Sequence, residues 1–146
     1  MSDSDWAVGH STSGWMLFLA GAAVVYSSKR QPCIALSSTE AEIIAASACA
    51  VQIQHAVVLM RELGLCAEEP VKLHVDNSGT VALARDRKSC HKSRHVDRRY
   101  FKVRELAAEG VLVVDYVGTH ENTSDVLTKV LPVDAHWKHA GRALNL

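Results

Sequence analysis

Surplus charge is the first thing this sequence lacks, with 16 lysines and arginines facing 16 aspartates and glutamates across 146 residues. A neutral chain has a weak long-range field, so its overall charge neither demands nor excludes a nucleic-acid partner, and local clustering must decide. Cysteine is sparse and scattered. Cys33, Cys49, Cys66 and Cys90 form no C-x-x-C pair and no Cys/His spacing of a zinc site, in a chain large enough to do without covalent staples. They read as reduced core thiols, and the compartment as intracellular. No charged n-region precedes an apolar leader, and the longest apolar-rich segment, Ile43 to Met60, is broken by Ser47, Gln52, Gln54 and His55. Neither export through an N-terminal signal nor a membrane span is expected. Internal repeats, low-complexity tracts and linker compositions are also missing, so residues 1–146 read as one domain around one core.

What is present alternates between strand and helix patterns. Gly14 to Gly21 is a short apolar run closed by glycine, followed at once by Ala22 to Ser28, which suggests a hairpin. A serine/threonine cluster ahead of Glu40 opens an alanine-rich stretch that stops at Gly64, predicting a helix over 38–63. Positions 42, 46, 49, 53, 57 and 60 form a stripe at helical spacing, which points Glu42 at the core. Val71 to Asp76 alternates like a strand and places Asp76 at its C-terminal end, before a short helix from Gly79 to Arg85. A charged helix from Ser93 to Glu109, a β-branched strand from Val111 to Val117, a helix from Asn122 through Lys129 and a last helix carrying Trp137 and Leu144 complete the order. Trp6, Trp15 and Trp137, set among apolar neighbours, read as core. The whole predicts an α/β sheet with helices on its faces.

Open α/β sheets place their sites beyond the carboxyl ends of the strands. Three acids have such positions: Asp3 or Asp5 near the first strand, Asp76 ending another, and Asp125 opening a helix, with Glu42 as a fourth at the head of the long helix. Converging carboxylates are what two divalent cations about 3.5 to 4 Å apart require, because they cannot sit together without negative ligands between them. Each acid also has a structural reading. Glu42 could close a capping box with Thr39, although Ser37 and Glu40 supply one already; Asp76-Asn77 is a common strand-to-turn signature; Asp125 could be a helix-start acid favoured by the dipole.

Seven ordered blocks carry a resemblance that spans nearly the whole chain. Ser2-Asp-Ser-Asp-Trp-Ala7, Ser11-Thr-Ser-Gly14, Tyr26-Ser-Ser-Lys-Arg-Gln-Pro32, Ala35-Leu-Ser-Ser-Thr-Glu-Ala-Glu42, Val75-Asp-Asn77, His95-Val-Asp-Arg-Arg-Tyr100 and Ser124-Asp-Val-Leu-Thr-Lys129 resemble the ribonuclease H domain of copia-type LTR retrotransposon polyproteins. The resemblance implies an RNase H-like fold, a mixed five-stranded sheet flanked by helices. It also implies four metal-binding carboxylates, Asp3, Glu42, Asp76 and Asp125, with Asp3 preferred to Asp5 because Asp5 would fall in the following turn. Two Mg²⁺ ions, for which Mn²⁺ can substitute, would serve cleavage of the RNA strand of an RNA/DNA hybrid, leaving 5′-phosphate and 3′-hydroxyl ends. His120, in the loop before the Asp125 helix, takes the place of a histidine that assists proton transfer or product release, against a plain exposed loop histidine. An upstream reverse transcriptase domain and a cytoplasmic virus-like particle, with a nuclear stage, follow from the resemblance alone.

Charge clusters locally despite the neutral total. Arg85, Arg87, Lys88, Lys92, Arg94, Arg98, Arg99, Lys102 and Arg104 meet only Asp86 and Asp97 in the same stretch, which suits a phosphate backbone. Ser11, Asn77 and Ser78 lie beside the acids and could contact 2′-hydroxyls across a wide minor groove, with ordinary turn residues as the alternative. Two features depart from the family pattern: only Met1 and Ser2 precede Asp3, so the first strand is expected to be truncated, and the stretch from Ala7 to Ser11 is short. They sustain two competing expectations. One is a fragment or domesticated relative that binds nucleic acid or protein without cleaving. The other is a nuclease of the same fold acting on DNA.

Overall fold

The computed structural model describes residues 1–6, 9–65, 70–85 and 94–146, and for Arg85 and residues 94–100 it describes the backbone alone. The elements run β1 (Ser2–Asp5), β2 (Thr12–Leu19), β3 (Ala22–Arg30), α1 (Ser38–Glu62), β4 (Val71–Val75), α2 (Ser78–Arg85), α3 (Arg94–Ala108) and β5 (Leu112–Tyr116). Two short 3-10 turns, Thr119–Glu121 and Thr123–Leu127, and α4 (Val133–Leu144) follow. The α/β class and the order of elements agree with the sequence reading. One difference is that the stretch after Asn122, read as a helix through Lys129, is a 3-10 turn ending at Leu127.

The hairpin of β2 and β3 turns at Ala20 and Gly21, both with positive φ, as a two-residue connection requires. β1 pairs antiparallel with β2, and Asp3 stands opposite Gly14. β4 and β5 form a separate parallel pair. Among the described residues five strands are therefore present, but they are hydrogen-bonded as three and two. The cause lies in β1. Met1 and Met16 exchange backbone bonds in both directions, so by antiparallel alternation Ser2 and Ser4 turn their backbone groups away from β2. Those groups are taken by side chains: the Ser2 carbonyl accepts from Asn122 Nδ2 at 2.9 Å, and Ser4 N–H donates to Glu42 Oε1 at 2.9 Å.

α1 forms because Ser37 caps it, its Oγ accepting from Glu40 N–H at 3.1 Å, while Glu40 reaches back to Leu36 N–H at 2.8 Å. That cap leaves Glu42 free to face inward. Of the predicted stripe, Glu42, Ala46, Cys49, Ile53 and Val57 are buried, and only Met60 is half-exposed. Ala41, Ala45, Ala46 and Ala50 are wholly buried, so the helix backbone lies close against the sheet. The main core joins that face to Leu73 and Val75 of β4, Leu112 and Val114 of β5, Val103 and Leu106 of α3, Val81 and Trp15. α1 is also long and apolar enough to cross a membrane, but half of that apolar stretch is buried inside this chain.

Trp15 joins the core as expected, whereas Trp6 is 59% and Trp137 68% exposed. Apolar neighbours in sequence did not place these two inside, because β1 ends at Asp5 and α4 buries His139 rather than Trp137 where it packs by β3 and the second 3-10 turn. Cys49 is buried and Cys33 half-buried; Cys66 and Cys90 lie outside the described residues.

One close approach fixes where the second 3-10 turn can sit. A Cβ on Gly14 would lie 2.7 Å from Thr128 Cγ2, 2.8 Å from Leu127 Cβ and 3.1 Å from the Ser124 carbonyl. Gly14→Ala should therefore lower stability by about 1–3 kcal/mol, the cost of forcing atoms into a filled site. Thermal denaturation will register it, while Gly118→Ala, where an added Cβ meets nothing within 4 Å, leaves the midpoint nearly unchanged.

Candidate active site

Three carboxylates from remote parts of the chain converge. One oxygen each of Asp3, Glu42 and Asp76 lie within 4.8 Å of one another, with Asp3 and Glu42 buried and Asp76 half-buried. β1 delivers Asp3, the second turn of α1 delivers Glu42, and the residue directly after β4 is Asp76. Asp125, buried in the second 3-10 turn, joins through Lys129. The Lys129 ammonium donates at 3.3 Å to Asp3 Oδ1 and at 3.3 Å to Asp125 Oδ1. Of the four acids expected from the sequence, three thus come together directly and the fourth, Asp125, is linked to Asp3 through Lys129. Asp5 is the last residue of β1 rather than part of a turn, and its carboxylate accepts from Thr12 N–H, which occupies it away from the cluster.

Each acid is held by specific donors. Thr128 Oγ1 donates to Asp3 Oδ2. Ser4 donates twice to Glu42 Oε1, from its N–H at 2.9 Å and its hydroxyl at 3.1 Å. The other oxygen, Glu42 Oε2, is buried without a partner. Asn122 caps the 3-10 turn by accepting from Ser124 N–H at 3.3 Å and, through its other amide atom, ties that turn to β1.

Burial first, and then the charges of their neighbours, shift these groups. Burial, then the charges of Asp3 and Asp76, push Glu42 up to about 8 against the pull of Ser4. Burial and Asp3 push Asp125 up to about 6 although Lys129 opposes them. Asp76 is raised by burial and by Asp3, with Lys129 and Thr119 working the other way. Burial pulls Lys129 down, but Asp3 and Asp125 together carry it above its ordinary value.

Other expected site residues fall into three groups. Ser11 is wholly buried, its carbonyl accepting from Gln31 N–H at 2.7 Å, so its side chain cannot reach a substrate. Asn77 is half-buried and caps α2 by accepting from Thr80 N–H at 3.0 Å; Ser78 beside it is exposed. His120 is exposed in the first 3-10 turn, where its carbonyl accepts from Lys138. Within the basic stretch, Lys102 pairs with Glu105 at 3.0 Å one turn on. The side chains of Arg85, Arg94, Arg98 and Arg99, and residues Arg87, Lys88 and Lys92, lie outside the described residues.

Sequence reasoning missed Ser4, Asn122, Thr128 and Lys129 as supports. Only Lys129 carried a local signal, four residues after Asp125, a spacing at which acid and base meet on one face. Ser4 bonds across 38 residues and Asn122 across 120, which no local pattern announces.

This arrangement of strands, helices and gathered acids is an RNase H-like fold. The N-terminal RNase H domain of a Mycobacterium tuberculosis protein, solved as a fusion with maltose-binding protein, superposes with a TM-score of 0.64, covering 97% of this chain and 94% of that one at 18% identity. The chain is a homologue of part of the Pol polyproteins of plant copia-type transposons, as its sequence blocks suggested. It is 35% identical over 84% of its length to the retrovirus-related Pol polyprotein from transposon TNT 1-94 of Nicotiana tabacum. It is 31% identical over 97% of its length to that from transposon RE1 of Arabidopsis thaliana, and 32% over 89% to that from RE2 of the same plant. The chain spans about a tenth of the length of these relatives. No protein-family model matches it.

The raised acids fix how stability responds to pH. A folded chain in which Glu42 titrates near 8 keeps a proton that the unfolded chain releases near 4.5. That contribution is fully present below about 4.5 and is lost as pH rises through about 8, with Asp125 adding to the loss around 6. In EDTA the thermal midpoint should therefore fall across that window. A midpoint that rises with pH in EDTA would contradict it.

Proposed function

We propose that this chain hydrolyses the RNA strand of RNA/DNA hybrids with the help of two divalent cations, Mg²⁺ or in its place Mn²⁺, held by Asp3, Glu42, Asp76 and Asp125. The observation that carries this reading is the gathering of one oxygen each of Asp3, Glu42 and Asp76 within 4.8 Å of one another, where Glu42 Oε2 is buried without a hydrogen-bond partner. Carboxylates this close repel unless a cation or a proton sits among them, and an oxygen-only donor set suits hard divalent ions. When bound, the cations supply activation of the attacking water and neutralisation of the charge that develops on the scissile phosphate.

The chain's own residues do the positioning. Ser4 fixes one Glu42 oxygen and leaves the other without a hydrogen-bond partner. Thr128 and Lys129 orient Asp3, and Asn122 fastens the turn that carries Asp125. His120, exposed between β5 and that turn, is placed to exchange a proton with solvent or to help product depart. Asn77 and Ser78, at the start of α2 directly after Asp76, are placed to meet 2′-hydroxyls. Arg94, Arg98, Arg99 and Lys102, along α3, supply charge for the opposite phosphates. In the longer polyprotein the segment would follow a reverse transcriptase, whose RNA/DNA product it would clear inside a cytoplasmic particle.

Incubating the chain with labelled RNA/DNA hybrid, duplex RNA and duplex DNA separates this reading from its rivals. Only the hybrid's RNA should be cut, leaving 5′-phosphate ends, and EDTA should abolish cutting. Asp76→Asn should slow it by about a hundredfold or more, at or beyond the upper end of what losing mere support for a metal ligand costs. Binding without cleavage would overturn the hydrolase reading in favour of a non-cutting relative, and cutting of duplex DNA would reassign the substrate.

A further inference from the structure

The two halves of the acidic cluster differ in what neutralises them. On one side Glu42 Oε2 has no partner, while Asp76 and Asp3 stand close by. On the other side the Lys129 ammonium lies between Asp3 and Asp125, at 3.3 Å from an oxygen of each. The two carboxylates are nearly inaccessible, with side chains 1% and 7% exposed, whereas the lysine side chain is 34% exposed. A pair of buried carboxylates needs a counter-charge, and a cation on a flexible four-carbon stem with a route to solvent can provide one reversibly. Thr128 occupies the remaining Asp3 oxygen, so the same turn that supplies the ammonium also fixes the acid it neutralises.

We propose that Lys129 is a resident stand-in for one of the two cations, holding Asp3 and Asp125 together in the metal-free chain and leaving when a metal ion enters between them. The inference rests on the metal-dependent reading above and deepens it. Loading is then sequential. The half formed by Asp3, Glu42 and Asp76 offers the unpartnered Glu42 oxygen and takes a cation without expelling the ammonium, and the half formed by Asp3 and Asp125 takes one only against it. Lys129 is a positioning residue in the empty site and a competitor in the filled one.

Calorimetric titration of the wild type, Lys129→Met and Lys129→Arg with Mn²⁺, at fixed pH and ionic strength, tests this together with the metal-free thermal midpoint of each. The wild type should bind one equivalent tightly and a second more weakly. Lys129→Met should bind the second about tenfold tighter or more, since a like charge within a few ångströms has been removed. Its metal-free midpoint should fall below that of the wild type and recover on adding Mn²⁺, while Lys129→Arg, which keeps the charge, should behave as the wild type in both measurements. Equal affinity for the two equivalents in the wild type overturns the proposal without any variant. So does a Lys129→Met chain whose metal-free midpoint and second affinity are both unchanged. Failure of the wild type to take up any Mn²⁺ is a separate result, which removes the metal-dependent reading itself and this inference with it.

Discussion

Like charges brought together in a poorly solvated corner are the constraint on which this structure turns. Asp3, Glu42, Asp76 and Asp125 come from a strand, a helix start, a strand end and a tight turn, and no packing preference would assemble them. Their mutual repulsion costs stability in the absence of a counter-ion, so the surrounding residues are arranged to limit that cost. Two donors from Ser4 face one oxygen of Glu42, a hydroxyl and an ammonium face Asp3, and the same ammonium serves Asp125. A site that is uncomfortable when empty favours whatever neutralises it, which is the general logic by which binding energy is stored in a fold.

The scaffold provides this arrangement by close approach. Wholly buried alanines on α1 let the helix lie near enough to the sheet for Glu42 to meet the acids of β1 and β4. Gly14, opposite Asp3, leaves room for Thr128 and Leu127 to cross β2. The main apolar core lies farther along the same helix, from Ala46 to Val57, so Glu42 stands near one end of the face that this core anchors. Burial of that core anchors the helix, and the anchored helix presents the glutamate.

Much of this was legible in the residues themselves. The stripe through Ala46, Cys49, Ile53 and Val57 is a repeating signal, and repetition over four turns fixed the inward face and hence the direction of Glu42. Alternation from Val71 ended on Asp76 because the strand does. Short segments were less readable. A five-residue 3-10 turn and the first turn of an α-helix share their capping signals, so Asn122 announced a helix that is not continued. Burial of isolated residues was unreadable for the same reason: Ser11 looks like a turn residue, and Trp6 and Trp137 look like core, because only the path of the distant chain decides. The supporting bonds of Ser4, Asn122 and Thr128 to the site are all long-range, and a sequence shows residue types without showing who faces whom.

Because the strands are joined as three and two, with side chains rather than a backbone ladder on the facing edge of β1, Asp3 and Asp76 belong to separately hydrogen-bonded units. Glu42 of α1 and Asn122 of the turn after β5 take up that edge of β1, and one of these two is itself a member of the acidic cluster. Whatever neutralises the glutamate therefore acts on a side chain that also fastens the open edge of a strand, so the charge of the centre and the anchoring of β1 share one residue.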